Sequence, residues 1–306
     1  MWTRKIANEA HTIGLICWAI SIFFVSMLVT ETSGLIVQSA LFPACTCSDK
    51  DAPTSSVDFV VFIHGRLEAD SSVENIRIPR PSVLYSEFCK GLAKTKNVLL
   101  PEYHEHYSEW RREPRELCLG PVSSAVGEAI RNHASGSFVA TGRRGNNNPP
   151  VKVTLVSFSM GAAILLKLLE NESILSSQEV EIEKVVLVEP VWRCWLPFAV
   201  SRSVEARYST TSRDKDLTVS NAPALAIVGT NDEEVQHDSG GGCKNSVARS
   251  LRPFLSNLTV IDIEGGNHFG LCSGVAEFAE DGLPVSMSPN DLREEIIGHI
   301  SEFCGW

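Results

Sequence analysis

Six short, largely apolar runs alternate with longer segments along this chain of 306 residues. The runs are rich in β-branched side chains, which favours strands over helices. Strands that are apolar on both faces are typical of parallel sheets covered by helices, so the alternation predicts an α/β fold with about six mostly parallel strands and helices on both faces. The runs cover residues 57–63, 97–100, 151–156, 180–189, 224–229 and 258–263.

The intervening segments predict helices at residues 84–94, at 121–133, after Gly161 and from Ser288 onwards. Without an internal repeat or a break in composition, residues 57–306 are predicted to form one domain. The long connection at residues 191–223 is a candidate cap. Its tryptophans and phenylalanine are predicted to pack a crossover helix on the sheet, and an apolar wall or lid over a substrate pocket is the alternative.

The first 30 residues differ in kind from the rest. Residues 12–30 carry no charge and follow Arg4 and Lys5, and their length is close to the roughly 20 residues that a membrane-spanning helix needs. They predict a signal anchor with a cytoplasmic N-terminus, or a signal peptide whose removal leaves a secreted or luminal protein. Residues 31–56 lack periodicity and end in a Pro/Ser/Thr stretch, which predicts a tether.

Cysteine usage is compatible with export. Cys17 lies in the apolar segment, and the other eight cysteines form an even set that predicts disulfides in an oxidising compartment. Sequons at Asn171 and Asn257 are candidate glycosylation sites. The eight are Cys45, Cys47, Cys89, Cys118, Cys194, Cys243, Cys272 and Cys304.

The formal net charge of −10 argues against a nucleic-acid partner, because such partners require clustered Lys and Arg. No C-x-x-C pair is present. His104 and His106 stand beside Glu102 and Glu105, but further metal ligands are not signalled nearby. The polar stretch 101–120 is therefore predicted to be a solvated loop at the rim of a site rather than a metal centre.

A tight turn of small residues follows the run at 151–156 and carries Ser159. Ser157 and Gly161 flank this serine at the positions two before and two after it, where larger side chains would collide if the turn between strand and helix is sharp. This spacing predicts a nucleophile elbow. An ordinary turn between a strand and a helix is the alternative reading of the same residues.

Two more reactive side chains follow the ends of predicted strands. Asp232 comes after the run at 224–229, and His268 comes after the run at 258–263. Carboxyl ends of parallel strands meet at one edge of a sheet, so both are expected near Ser159. His268 would take the proton of Ser159, and Asp232 would orient the imidazole, with Glu189 at the end of its own run as the alternative acid.

Two backbone amides are candidate donors to an oxyanion. Met160 follows the nucleophile directly, and Arg66 follows the His64-Gly65 turn at the end of the first run. His64 itself is expected to be a structural part of that turn rather than a base.

The HGR turn, the SFSMG elbow, the GTND and EGGNHFG segments and the chain order Ser, Asp, His resemble the α/β-hydrolase superfamily. The similarity covers residues 57–306 and is greatest to compact hydrolases of the dienelactone-hydrolase-like group. Two departures are Ser157 in place of a glycine and the lack of room for two leading antiparallel strands. The resemblance implies the α/β-hydrolase fold and acyl hydrolysis without a cofactor, and its triad positions match Ser159, Asp232 and His268.

The sequence thus predicts a serine hydrolase that cleaves a carboxylic ester, with a small-molecule or lipid-like substrate. Two alternatives use the same fold. One is a catalytically silent binding protein, which the imperfect elbow permits. The other is an acyltransferase that uses the same three side chains and excludes water.

Overall fold

A computed structural model describes residues 38–44, 58–65, 80–103, 116–140, 149–170, 179–191, 220–230, 244–266 and 289–306. The side chains of residues 116–119, 137–140, 244–246 and 289 are not part of that description. All the described residues belong to one compact unit, Val37–Trp306.

Seven described strands form a single sheet in the order β1-β3-β2-β4-β5-β6-β7. β1 is antiparallel to β3, and every other pair of neighbours is parallel. The strands are β1 Gln38–Phe42, β2 Phe59–Ile63, β3 Asn97–Glu102, β4 Val151–Phe158, β5 Val180–Val188, β6 Ala224–Gly229 and β7 Leu258–Ile263.

Six helices lie in the described part of the chain: α1 Pro81–Leu84, α2 Ser86–Leu92, α3 Glu116–Ala140, α4 Gly161–Glu170, α5 Lys244–Leu251 and α6 Pro289–Cys304. β2 shows how they cover the sheet, because successive side chains of a strand point to opposite faces. Phe59 contacts His133 of α3, whereas Phe62 contacts Tyr85 and Phe88 of the α1–α2 region. Helices therefore pack on both faces of the sheet.

The core sits between these layers. All five residues of β2 and all six of β6 are buried. On one face, apolar side chains of the central strands pack against α2 and against Leu292, Ile296 and Ile300 of α6. Strands that bury both faces read as continuous apolar runs, which is why the sequence shows them so clearly.

The predicted α/β fold is confirmed. Each of the six predicted strands is present, and β6 and β7 have the predicted bounds. The predicted helices after Gly161 and near Ser288 are α4 and α6.

Two predictions about the chain outside the central strands are wrong. Residues 38–42 of the expected tether form β1, so one antiparallel strand does precede β2. The stretch 101–120 is not wholly a solvated loop, because β3 runs to Glu102, Tyr103 is buried, and α3 begins at Glu116. The residues of β1 are mostly exposed, and the strand is held by pairing with β3, which local periodicity does not reveal.

The N-terminal predictions fall on residues that the structure does not describe. The segment 12–30 lies outside the described ranges, as does most of the expected tether. Within those ranges, no helix is both long enough and apolar enough to cross a membrane.

The disulfide prediction is wrong for two of the eight cysteines. Cys89 and Cys304 are free thiols, and Cys89 is buried in the core. Asn257, one of the two candidate glycosylation sites, donates a side-chain hydrogen bond of 2.8 Å to the Asn221 carbonyl, whereas Asn171 lies outside the described residues.

Candidate functional site

Ser159 stands on a strained turn between β4 and α4. Its backbone φ is +52°, a conformation that costs a non-glycine residue on the order of 1–3 kcal/mol. The surrounding backbone holds it there. Its N–H donates to the Val188 carbonyl at 3.0 Å, and its own carbonyl accepts from Ala162 and Val191. The backbone therefore has the strained strand-to-helix turn that the predicted elbow requires.

Small residues make room for the elbow on both sides of Ser159. A Cβ atom on Gly161 would collide with the Ile63 and His64 carbonyls at the end of β2. Ser157 is fully buried, and its hydroxyl donates to the Val186 carbonyl at 3.4 Å. A serine is therefore accommodated where the elbow pattern has its first glycine, whereas glycine is required at 161.

Glu189 mirrors Ser159 on the neighbouring strand. It directly follows β5, its φ is +46°, and it is only 1% exposed. Its N–H donates to the Ile227 carbonyl of β6 at 2.8 Å. A buried carboxyl group on a strained backbone beside the elbow is costly to keep, and such residues concentrate at functional sites.

The turn at the end of β2 packs directly against the elbow. A Cβ atom built on Gly65 would lie 2.7 Å from the Cβ of Ser159 and 3.1 Å from the Phe158 carbonyl oxygen. His64 is fully buried, and its Nδ1 lies 2.8 Å from the Gly65 carbonyl oxygen. Because a carbonyl only accepts, Nδ1 carries the hydrogen in this bond.

Tyr103 is a residue of this site that the sequence reading missed. It follows β3 directly, is 1% exposed, and donates its hydroxyl hydrogen to the His64 carbonyl at 2.6 Å. Its ring also stacks on the His64 imidazole, with centroids 3.9 Å apart. The available signal was its position immediately after a buried strand, at the same edge as the other site residues.

The ends of β6 and β7 meet at this edge. Gly229 and Gly266 approach so closely that a Cβ on either would strike the backbone of the other. Thr230 donates its N–H to the Ile263 carbonyl at 3.0 Å, and its hydroxyl accepts from the Gly265 N–H at 2.8 Å. The described ranges end at Thr230 after β6 and at Gly266 after β7, so Asp232 and His268 each come two positions later in the sequence.

The structure thus brings together part of the predicted site. Ser159 and Met160 lie in the elbow between β4 and α4, next to the His64-Gly65 turn. Three other predicted site residues, Arg66, Asp232 and His268, lie outside the described residues, as do His104, His106 and the tryptophans of the candidate cap. In the described ranges, no group of three or more His, Cys, Asp or Glu side chains could hold a metal ion.

No protein-family model matches the sequence, and no curated protein matches it. Solved structures do. The siderophore hydrolase EstB from Aspergillus fumigatus is 10% identical with a TM-score of 0.51, over 87% of this chain and 94% of that one. MenH from S. aureus is 12% identical, with a TM-score of 0.48 over 87% and 97% of the two chains. A dienelactone hydrolase from Anabaena variabilis is 15% identical, with a TM-score of 0.46 over 87% and 90%.

At such low identity the likeness to the siderophore hydrolase concerns the fold alone. The described part of the chain fits this fold in its mostly parallel seven-stranded sheet and in the tight turn between β4 and α4. This chain has the α/β-hydrolase fold.

Proposed function

We propose that this chain, which has the α/β-hydrolase fold, is a serine hydrolase that cleaves a carboxylic ester through an acyl-enzyme intermediate. The observation that carries the proposal is the strained backbone of Ser159, at +52°, in a turn that neighbouring strands hold in place. Strain of this kind persists only where the surrounding structure determines it, and it concentrates at reactive sites.

In the proposed reaction the Ser159 hydroxyl attacks the ester carbonyl. His268 takes the hydroxyl proton and returns it to the leaving alkoxide, and Asp232 holds the imidazole and stabilises its protonated form. Water then attacks the acyl-enzyme with His268 as the base again, which releases the acid and restores Ser159. The close packing of the β6 and β7 ends supports this arrangement, because these ends lead directly to Asp232 and His268.

Charge on the substrate oxygen would be stabilised by the backbone amides of Met160 and Arg66. The start of α4 at Gly161 adds to this, since the N-terminus of a helix carries partial positive charge. The contact of Gly65 with Ser159 supports a position for the following amide next to the nucleophile. The expected substrate is a neutral or apolar small-molecule or lipid-like ester, and the chemistry needs no cofactor.

Glu189 is the second candidate for the acid. It is buried and strained, and it adjoins the elbow through the bonds from Ser159 to Val188 and from Val191 to Ser159. The two alternative functions for a chain with this fold are ligand binding without catalysis and acyl transfer to an acceptor other than water.

A fluorophosphonate probe tests the proposal against a silent binding protein. We expect the folded protein to be labelled, and Ser159→Ala to lose the labelling. Ser256→Ala is the matched control. Ser256 is exposed and lies just before the amino end of β7, whereas Ser159 follows the carboxyl end of β4. Folded wild-type protein that takes up no label would contradict a hydrolase.

A panel of p-nitrophenyl esters of increasing acyl length then measures turnover and chain-length preference. Release of free acid in water distinguishes a hydrolase from an acyltransferase, which would need an added alcohol or amine for rapid turnover.

A further inference from the structure

We infer that Tyr103 is a positioning residue for the oxyanion site: its hydroxyl and ring fix the His64-Gly65 turn, and thereby the amide that follows the turn. The inference rests on the proposed function and adds to it a residue that acts through the His64-Gly65 turn.

Tyr103 holds the turn through two contacts with the same residue. Its hydroxyl donates to the His64 carbonyl at 2.6 Å, and its ring stacks on the His64 imidazole at 3.9 Å with an angle of 11° between the planes. Both residues are buried, Tyr103 to 1% exposure. A short hydrogen bond away from water, combined with stacking, fixes both the peptide and the side chain of His64.

The orientation of the His64 imidazole determines the orientation of the peptide that follows Gly65. The Nδ1–H of the imidazole donates to the Gly65 carbonyl at 2.8 Å. A trans peptide is planar, with its N–H opposite its C=O, so whatever fixes the Gly65 carbonyl also fixes the direction of the following N–H. That N–H belongs to Arg66, the proposed oxyanion donor.

The other side of the turn is set by the nucleophile. Gly65 lies so close to Ser159 that a Cβ on Gly65 would be 2.7 Å from the Ser159 Cβ. The turn is therefore held between Tyr103 and the elbow. Loss of the Tyr103 hydroxyl would let the turn shift against Ser159, and displacements of about 1 Å at a reacting centre can cost on the order of 100-fold in rate.

The test is Tyr103→Phe, which removes the hydroxyl and keeps the stacked ring. We expect kcat for p-nitrophenyl acetate to fall about tenfold and KM to change less than about twofold, because the negative charge on the substrate oxygen develops in the transition states and the tetrahedral intermediate and is absent from the bound ester. Fluorophosphonate labelling should slow in parallel. A merely structural role would lower the melting temperature and leave kcat of the folded protein unchanged.

Tyr85→Phe is the matched control. It makes the same chemical change on a buried ring of the same cluster, 6.1 Å from the His64 imidazole. We expect it to keep wild-type kcat.

The outcomes separate the inference from the proposed function. A folded wild-type protein that neither hydrolyses esters nor takes up label overturns both. An active wild type with an equally active Tyr103→Phe variant overturns the inference alone, as does an equal loss of kcat in Tyr85→Phe.

Discussion

Ser159 and Glu189 occupy equivalent positions on neighbouring parallel strands, each directly after the strand end and each with a positive φ, +52° and +46°. They are the non-glycine residues with this conformation in the described part of the chain. The backbone links them, because Ser159 donates to Val188 and Glu189 donates onward to Ile227. Three consecutive strand ends thus hold two strained residues at one edge of the sheet.

The strain at Ser159 predicts that a residue better suited to this backbone conformation stabilises the protein but abolishes its activity. Ser159→Gly removes the cost of a side chain at positive φ and is expected to raise the free energy of unfolding by about 1 kcal/mol relative to Ser159→Ala. Both variants should be inactive. Urea denaturation measures the stability, and a glycine variant less stable than the alanine variant would contradict the strain.

The approach of Gly161 to β2 predicts a sharp intolerance of any side chain there. Gly161→Ala would drive a Cβ into the Ile63 and His64 carbonyls, and we expect it to lower the free energy of unfolding by roughly 2–4 kcal/mol.

Gly298→Ala in α6 is the control for Gly161→Ala, because a Cβ there meets open space. It should stabilise the protein by about 0.5–1 kcal/mol through helix propensity. Thermal or urea unfolding of the two variants measures both changes in the free energy of unfolding. Equal effects of the two substitutions would show that the elbow does not pack against β2 as described.

Two carboxyl side chains compete for the role of triad acid. With Asp232 as the acid, Asp232→Asn should lower kcat by on the order of 10⁴-fold, as expected when the imidazole loses its orienting carboxylate. Glu189→Gln keeps shape and burial and should leave kcat within about tenfold of wild type. Initial rates with p-nitrophenyl acetate decide the matter, and the reverse pattern would assign the acid to Glu189.

Cys89 and Cys304, the free thiols in the described part of the chain, are expected to differ in their rates of alkylation. Burial raises the pKa of Cys304 to about 11, although Lys184 and Lys96 oppose the shift, and burial raises the pKa of Cys89 further. The thiolate is the reactive form, so Cys304 should react slowly with iodoacetamide at pH 8 and faster as the pH approaches 11.

Cys89 should react only once the protein is unfolded. Peptide mass spectrometry with and without urea measures both sites. Rapid labelling of Cys89 in the folded protein, or its recovery in a disulfide, would contradict the structure.

The sequence predicts the central sheet well because its strands are buried on both faces. β6 and β7 stand out as apolar runs between turn residues, and both have the predicted bounds. β1 could not be found in the same way. Its residues are mostly exposed, and its existence depends on pairing with β3, more than fifty residues away in the chain.

The same contrast holds at the site. The tight turn at Ser159 is predictable because such a turn needs small neighbours at fixed spacing, a requirement that is local in sequence. The contact of Tyr103 with His64 depends on stacking between the ends of β2 and β3, and the strain at Glu189 depends on hydrogen bonds across three strands. Neither relationship leaves a local pattern that sequence reading could use.

The most direct test of the account is the site at which an activated ester acylates the protein. Rapid-quench digestion after reaction with p-nitrophenyl acetate, followed by peptide mass spectrometry, should find one acetyl group on the peptide that contains Ser159, and none in Ser159→Ala. Folded protein that carries no acetyl group, or carries it on another residue with Ser159 unmodified, would contradict the assignment of Ser159 as the nucleophile.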